Sequence, residues 1–383
     1  MPPADALPQD PASVEAEAGP PLSLARGALG IALVHLAAGS PAETAHAWLR
    51  TALAGGVLDP TVRPGLFHGL PAVAFTLALA PPDHYRRARA TVREQLRRLV
   101  RHRLEAAHAR IDRAEPASFG EYDLVSGLTG IAVAVWEADP DGELLEDVLA
   151  YLVRLCRPVR REGRCHPGWW VHHSPRGGHD PYFPDGHANL GMAHGIAGVV
   201  SLLGLTYRAG RTVREQRATL ELLCAYLDSL QYDGRAGPWW PPWTVAHTAT
   251  GPTRPGPPTW CYGTPGIARA QQIAALALGD IARRHTAERA MDACLVAGAG
   301  VDGLTAGGLC HGPAGGLRAL TRMAEDQAPG APRLRRHLLT VRKSAETPAP
   351  HHERADFLEG TAGTHLALNS GLHSRWDRCL LLA

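Results

Sequence analysis

Two cysteines and one histidine in the second half of the sequence have the residue types of a metal site. Cys261 lies two residues before Gly263, Cys310 lies two residues before Gly312, and His311 follows Cys310 directly. Thiolate and imidazole are ligands that zinc prefers, and a catalytic zinc keeps three protein ligands and one open position. Three candidate ligands therefore indicate an enzyme site, in which a substrate would take the fourth position.

The gap of 49 residues between Cys261 and Cys310 is far longer than the ligand spacing of a zinc finger, so the fold has to bring them together. Both cysteines have the same offset from the first, or leading, glycine of a repeated Gly-x-x-Gly motif, which we call a phrase. If successive phrases stand side by side, equivalent positions face the same space. The sequence thus predicts one Zn²⁺ bound by Cys261, Cys310 and His311. The alternative is a pair of buried free cysteines that only pack.

A further histidine precedes the phrase next to these ligands. His194 comes directly before Gly195, and an imidazole there could transfer protons near neutral pH. His68 has the same offset before Gly69, so the offset alone does not identify a catalytic residue. We predict His194 as the catalytic acid or base because its phrase immediately precedes that of the first cysteine.

Two aspartates also share one offset. Asp123 and Asp356 each lie four residues before a leading glycine. Either carboxylate could orient an imidazole or cap a helix. Of the two, we predict that Asp123 belongs to the active site.

The predicted ligand set suits one kind of chemistry. Two thiolates and a neutral imidazole make a zinc site formally neutral, with an open position for a substrate thiol. A thiol held there loses its proton more easily, and charge donated by the thiolate ligands should keep it nucleophilic. The site therefore favours activation of a thiol over activation of water.

These residues have to be positioned by the elements that carry the repeated phrase. The phrase occurs seven times, once as a close variant, and a short apolar run follows it. The seven leading glycines are Gly27, Gly69, Gly127, Gly195, Gly263, Gly312 and Gly360. A glycine pair is typical of a tight turn into a helix, and an almost wholly apolar run is typical of a helix buried on most sides. Amphipathic segments such as 91–111 and 215–230 lie between the phrases. The pattern predicts an all-α fold, an α/α toroid with about seven inner and seven outer helices.

We expect a single domain over residues 22–383 after a flexible N-terminal tail, residues 1–21, which is acidic and rich in proline and alanine. Three long loops are predicted at 160–187, 231–258 and 328–352. The first two carry many histidines and tryptophans, which could surround the opening of the toroid and hold a peptide by stacking, or simply pack within the loops.

Composition excludes several classes of function. The formal net charge is +2, so a nucleic-acid partner is not indicated. An odd count of seven cysteines at low density argues against a disulfide framework and for a reducing compartment, and we expect the cytoplasm. The sequence shows no apolar run near the roughly 18 residues of a membrane span.

Taken together, the phrases resemble those of the lanthipeptide cyclases, the LanC-like proteins, over residues 22–383. The segments that carry the resemblance are Tyr122–Gly130, Asn189–Gly198, Trp260–Gly266 and Cys310–Gly312. The resemblance implies an α/α toroid with zinc at one mouth, bound by Cys261, Cys310 and His311. It also implies that His194 is the acid/base for the thiol proton or the enolate, with Asp123 beside it.

The implied reaction is Michael-type addition of cysteine thiols to dehydroalanine or dehydrobutyrine in a dehydrated precursor peptide, which forms lanthionine and methyllanthionine rings. Since 383 residues hold only the ring, we expect a stand-alone class I cyclase. It would act on a leader and core peptide supplied by a separate dehydratase, with an export transporter as a further partner. Two alternatives stay open: addition of glutathione or another small thiol, and a non-catalytic scaffold stabilised by zinc.

One position departs from the family pattern. LanC-like proteins often carry an arginine shortly before the Trp-Cys-Tyr-Gly motif, where this chain has Pro257 and Pro258. The nearest arginine is Arg254, so its part in the site is an open question.

Overall fold

A computed structural model describes residues 7–11, 19–54, 63–161, 163–175, 177–245, 255–296, 304, 307–327, 334–347, 354–371 and 374–383. The helices in these ranges are α1 (Ala28–Ala38), α2 (Ala42–Ala54), α3 (Leu70–Leu79), α4 (Arg86–Asp112), α5 (Phe119–Tyr122), α6 (Leu128–Ala138), α7 (Leu144–Leu155), α8 (Ile196–Arg208), α9 (Gln216–Ser229), α10 (Thr264–Leu278), α11 (Ile281–Val296), α12 (Pro313–Glu325), α13 (Leu338–Glu346) and α14 (Thr361–Asn369). None of them is both long and apolar enough to cross a bilayer.

Seven of these helices form a closed inner ring. They are α1, α3, α6, α8, α10, α12 and α14, and each begins directly after the leading glycine of a phrase. Each packs against the next in chain order, and α14 packs against α1. The helices α1, α3, α6, α8, α10 and α12 are buried along most of their length, as the apolar runs predict, whereas α14 is only about half buried. The ring therefore closes on itself, and all seven helices start at one end of it.

An outer layer covers this ring. The helices α2, α4, α7, α9, α11 and α13 each pack on the inner helix that precedes them in the chain. The amphipathic segment 91–111 lies within α4, and 215–230 coincides with α9 to within one residue at each end, so their periodicity is confirmed. The predicted all-α toroid is confirmed, with one difference. Among the described residues the outer layer has six helices, and a 3₁₀ helix, Trp376–Leu380, follows α14.

The second glycine of the phrase is required by close packing. A Cβ atom at Gly130 would lie 1.8 Å from the carbonyl oxygen of Leu124, and one at Gly363 would lie 1.8 Å from that of Phe357. Such distances exclude any side chain, because the chain folds back against the first turn of the inner helix. The repeated glycines thus mark the same close approach around the ring.

Backbone hydrogen bonds join neighbouring phrases into a belt at the end of the ring where the inner helices start. The bonds are Leu24 N–Phe67 O, Phe67 N–Val125 O, Leu124 N–Ala193 O, Ala193 N–Cys261 O, Leu309 N–Leu358 O and Leu358 N–Ala25 O. In the part of the chain that the structure describes, no such bond joins the fifth phrase to the sixth. That junction is where the two cysteines of the predicted metal site face each other.

The C-terminal segment, 374–383, lies inside the ring. Asp377 is fully buried and accepts hydrogen bonds from Arg318 and Arg322 of α12. Glu137 of α6, on the opposite side, forms an ion pair with Arg378. Because one short segment contacts helices on both sides, it fills the interior of the toroid and supports the inner helices from within.

Two of the expected loops contain regular structure. Short antiparallel ribbons pair β1 (Val159–Arg161) with β2 (Arg164–His166), and β4 (Tyr232–Asp233) with β5 (Pro238–Trp239). A third ribbon joins the two loops, because β3 (Ala188–Asn189), just after the first loop, pairs with β6 (Trp243–Thr244) of the second. The two loops therefore form one layer over the site end of the ring.

Two other boundary predictions need correction. Within the expected loop at 328–352, residues 338–346 form α13, the outer helix of the sixth unit, because its apolar side chains Val341 and Ala345 pack into the core. Part of the expected flexible tail, 1–21, is also packed. Leu7 is buried, and the Pro8 carbonyl accepts hydrogen bonds from His35 Nε2 at 2.9 Å and Trp48 Nε1 at 3.1 Å.

Candidate functional site

Three predicted ligands come together where α10 and α12 begin. The thiol of Cys261, the thiol of Cys310 and a ring nitrogen of His311 lie within 4.8 Å of one another. Both cysteines are buried, whereas the His311 side chain is 51% exposed. Across the described residues, this is the one group of three or more Cys, His, Asp or Glu side chains with the spacing of metal ligands. The matching offsets thus correctly indicated the proximity of residues 49 positions apart.

The electrostatics of this cluster favour a cation. Hydrogen bonds from Cys310 and His311 lower the pKa of the Cys261 thiol. The contact of Cys310 with Cys261, together with the burial of Cys310, raises the pKa of the Cys310 thiol well above the usual range. Two buried thiols this close cannot both ionise unless a positive charge lies between them. A divalent cation would allow both to become thiolates, so the donor set fits zinc.

His311 is held in place by a carboxylate from the seventh phrase. Its Nδ1 lies 3.0 Å from Glu359 Oε1. This bond leaves Nε2 as the nitrogen available to the cluster, and hydrogen bonds to Cys261 and Glu359 raise the pKa of the imidazole. A carboxylate behind a histidine ligand is a common device for fixing its tautomer and ring orientation.

A second histidine–carboxylate pair lies at the third and fourth phrases. His194 Nδ1 lies 2.6 Å from Asp123 Oδ2. The other oxygen of Asp123 accepts the backbone N–H groups of Ser126 and Gly127, each at 2.7 Å. Asp123 is almost fully buried, so these three bonds satisfy a carboxylate that water does not reach. The imidazole is thereby held with a proton on Nδ1, and its Nε2 remains available for proton transfer.

The two pairs share one end of the ring. The backbone N–H of Ala193 donates to the carbonyl of Cys261 at 3.2 Å, which places His194 next to the thiol cluster in the belt. Phe119 and Tyr262 flank the His194 imidazole, with ring centroids 5.8 and 6.0 Å away. The cluster of two cysteines and a histidine and the Asp123–His194 pair are thus neighbours.

Two other candidate residues from the sequence, Asp356 and His68, lie elsewhere in the ring. Asp356 accepts the backbone N–H of Glu359 at 2.8 Å and pairs with Arg354 at 2.7 Å, so it shapes the turn that carries Glu359 and does not orient an imidazole. His68 stands two phrases before His194, with its backbone N–H bonded to the Gly65 carbonyl. Arg254 lies outside the described residues.

Sequence reasoning missed the side chains that hold these groups. Arg103 of α4 is buried and donates to the carbonyl oxygens of Pro64 at 3.1 Å, Ser126 at 3.0 Å and Gly120. It therefore clamps the turn of Asp123 to the second phrase. A signal existed, because residue 103 continues the apolar stripe of Leu96 and Val100. Glu359 gave a weaker signal, an acidic residue directly before a leading glycine.

Comparisons with known proteins agree with this architecture. A family model described as "Lanthionine synthetase C-like protein" matches residues 20–381. Among solved structures, "Nisin cyclase" superposes with a TM-score of 0.79 at 18% sequence identity, covering 95% of this chain and 92% of that chain. A sequence search of the functionally curated proteins gave no match. At this level of identity, the structural likeness shows the fold, a helical double ring.

Proposed function

Because the chain belongs to the lanthionine synthetase C-like family, we propose that it adds cysteine thiols of a dehydrated precursor peptide to dehydroalanine or dehydrobutyrine, forming (methyl)lanthionine rings. One observation carries the proposal. The two buried thiols of residues 261 and 310, together with the imidazole of residue 311, adjoin the Asp123–His194 pair at the same end of the ring. Addition of a thiol to an alkene needs both an activated sulfur and a group that moves a proton.

The proposed cofactor is one Zn²⁺ bound by Cys261, Cys310 and His311, with Glu359 orienting the imidazole. When bound, zinc supplies Lewis acidity that lowers the pKa of a substrate thiol and makes it nucleophilic at neutral pH. Burial of the two cysteines keeps their sulfurs from competing reactions with solvent oxidants.

His194 is the proposed proton carrier. In the addition, sulfur forms a bond to Cβ, the Cα=Cβ π bond breaks, and Cα gains a proton, so the thiol proton is conserved overall. His194 Nε2 accepts the proton released by the thiol or delivers it to the enolate carbon. Asp123 holds Nδ1 and stabilises the imidazolium that forms. The N-termini of the inner helices face the same end, and their partial positive charge favours the developing enolate.

The proposal extends to partners and location. The substrate would be a leader and core peptide that a separate dehydratase has modified, with export by a transporter, and the reaction would take place in the cytoplasm. The layer formed by the loops at 160–187 and 231–258 supports a peptide as substrate, since it brings aromatic side chains such as Phe183 and Trp243 to the site.

The test combines metal content with turnover. Zinc is measured by mass spectrometry in the wild type, in Cys261→Ala and in Cys165→Ala, whose exposed thiol is a matched control. The assay uses a peptide with one dehydroalanine and one cysteine. Cyclisation leaves its mass unchanged, so alkylation of remaining thiols with N-ethylmaleimide reports ring formation. We expect about one zinc per chain and ring formation except in Cys261→Ala, which loses both.

Other outcomes decide between the alternatives. Retained zinc and unchanged cyclisation in Cys261→Ala would contradict the proposal. Addition of glutathione to a dehydrated peptide without cysteine, in the absence of cyclisation, would establish the small-thiol alternative. The scaffold alternative would be established if the protein were inactive on both peptides and if removal of zinc lowered its melting temperature.

A further inference from the structure

Six aromatic rings form a closed circle beside the proposed active site, which we name the aromatic circle. In order they are Phe119, His194, Tyr262, Trp243, Phe183 and His187. The centroids of successive rings lie 5.2 to 6.4 Å apart, and the last closes on the first. Among the described residues, each of these six rings contacts only its two neighbours within the circle.

The circle joins residues of the repeated motifs to residues of the two long loops. His194 and Tyr262 belong to the fourth and fifth phrases, and Phe119 begins α5. The other three members come from the loop layer, where Trp243 pairs through its backbone with Asn189 in the β3–β6 ribbon. A group bound within the circle would therefore contact the proposed proton carrier on one side and the loops on the other.

The exposure of the members suits a binding site. His187 is fully buried, while the other five rings are partly exposed and so accessible to a ligand. None of the six is a permanently charged residue. A carboxylate placed among them would lose its hydration without gaining a partner, whereas an apolar side chain would gain contact with aromatic faces.

His187 supplies one polar contact. Its Nδ1 lies 2.9 Å from the carbonyl oxygen of His173, and burial lowers the pKa of the imidazole to about 4. The ring is therefore neutral, with its proton on Nδ1, and among the described residues its buried Nε2 acceptor has no donor. Leaving a buried acceptor without a donor is unfavourable, and an N–H group of a ligand would remove that penalty.

We propose that the aromatic circle is a subsite for the substrate peptide. It takes the apolar side chain of the residue that is next in sequence to the cysteine reacting beside His194. This inference rests on the proposed function. His194 is itself a member of the circle, and its neighbouring ring centroids lie 5.8 and 6.0 Å away. A side chain within the circle therefore lies about one ring spacing from the proton carrier. The adjacent residue can reach this far, because its Cα lies roughly 3.3–3.6 Å along an extended peptide and its side chain extends further. A peptide N–H is the donor that His187 Nε2 lacks.

The test uses two peptides that differ only at the residue beside the reacting cysteine, leucine in one and aspartate in the other. The variants are Phe183→Ala and Trp243→Ala. Tyr182→Ala is the matched control, since Tyr182 lies next to Phe183 but is 87% exposed and outside the circle. Trp243→Phe keeps an aromatic wall and should rescue the preference. Zinc content and melting temperature are measured for each variant.

We expect the wild type, Tyr182→Ala and Trp243→Phe to favour the leucine peptide by about tenfold in kcat/KM, as one apolar side chain is worth in a hydrophobic pocket. Phe183→Ala and Trp243→Ala should reduce the preference to about threefold or less. An unchanged preference in both alanine variants, or equal kcat/KM for the two peptides in the wild type, would overturn the subsite.

A binding measurement separates this subsite from the proposed reaction. Fluorescein-labelled forms of the two peptides, with serine in place of the reacting cysteine, are titrated with each variant and followed by anisotropy. Tighter binding of the leucine peptide that depends on Phe183 and Trp243 supports the subsite even if the wild type forms no thioether. Equal affinity for both peptides rejects the subsite even if thioethers form.

Discussion

His194 and His311 occupy the same position in two phrases, yet the structure gives them different surroundings. Each directly precedes a leading glycine, and a carboxylate from an adjacent phrase holds the Nδ1 of each ring. The partner of His194 comes from the preceding phrase and that of His311 from the following one. Both rings therefore present Nε2 to the same end of the toroid, with the tautomer set in the same way.

The two histidines differ in the groups that lie near their Nε2 atoms. His311 contacts the thiol of Cys261, whereas His194 lies between the rings of Phe119 and Tyr262. An imidazole next to two thiols fits a metal ligand, and an imidazole among uncharged rings fits a proton carrier. Neither the offset from glycine nor the carboxylate behind the ring assigns the role. The proposed roles rest on the neighbours of the free nitrogen.

The largest expected effects come from replacing each of the two histidines with asparagine. His311→Asn should lose most of its zinc and about 10³-fold in kcat/KM, because one of three ligands is gone. His194→Asn should lose about 10³-fold in kcat but keep its zinc, since general acid–base catalysis contributes about 10²–10⁴-fold. Zinc content and the alkylation assay measure both effects. Loss of zinc in His194→Asn would remove the distinction between the two histidines.

The next comparison is between Asp123 and Asp356, which have the same offset from a leading glycine. Asp123→Asn should lower kcat about 10²-fold, because an amide can donate to His194 Nδ1 and favour the wrong tautomer. Asp356→Asn should change kcat by about threefold or less, since an amide oxygen still accepts the N–H of Glu359. Steady-state kinetics on the same peptide compares them. Equal losses in both variants would show that Asp123 acts only on the turn.

Glu359→Gln tests the carboxylate behind His311. We expect zinc affinity to fall about 10-fold, the lower end of the range for such supporting groups, while kcat at saturating zinc changes less. Competition with a chromophoric chelator measures the affinity. Glu94→Gln on exposed α4 is the control and should not alter it. Unchanged affinity in Glu359→Gln would mean that His311 needs no such partner.

The smallest expected effect concerns Arg103, which supports the His194 side of the site. Arg103→Ala should lower the free energy of unfolding by about 2 kcal/mol, because it leaves buried carbonyl oxygens near Asp123 without a donor. Arg101→Ala, at an exposed position on the same helix, should change it by about 0.5 kcal/mol or less. Urea denaturation measures both variants. Similar values would place Arg103 among ordinary surface residues.

Much of the fold was predictable because the sequence repeats. Each Gly-x-x-Gly phrase marks a turn that admits no side chain, and each apolar run marks an inner helix. The missed helix, α13, also left a signal in Leu334, Leu338 and Val341, which recur at steps of four and three. The amphipathic centre of this segment is recognisable in the sequence, but the flanking prolines favoured a loop. The packing of Leu7 and Pro8 had no local signal, since their partners lie in α1 and α2.

By itself, the sequence determined the ring and the meeting of Cys261 with Cys310. A repeated turn places equivalent offsets at equivalent points of a closed circle, so proximity across 49 residues follows from register alone. The tertiary structure decided which carboxylate reaches which imidazole and which loop residues complete the aromatic circle. Those contacts join phrases in both directions and loops of unequal length, and no offset within one phrase encodes them.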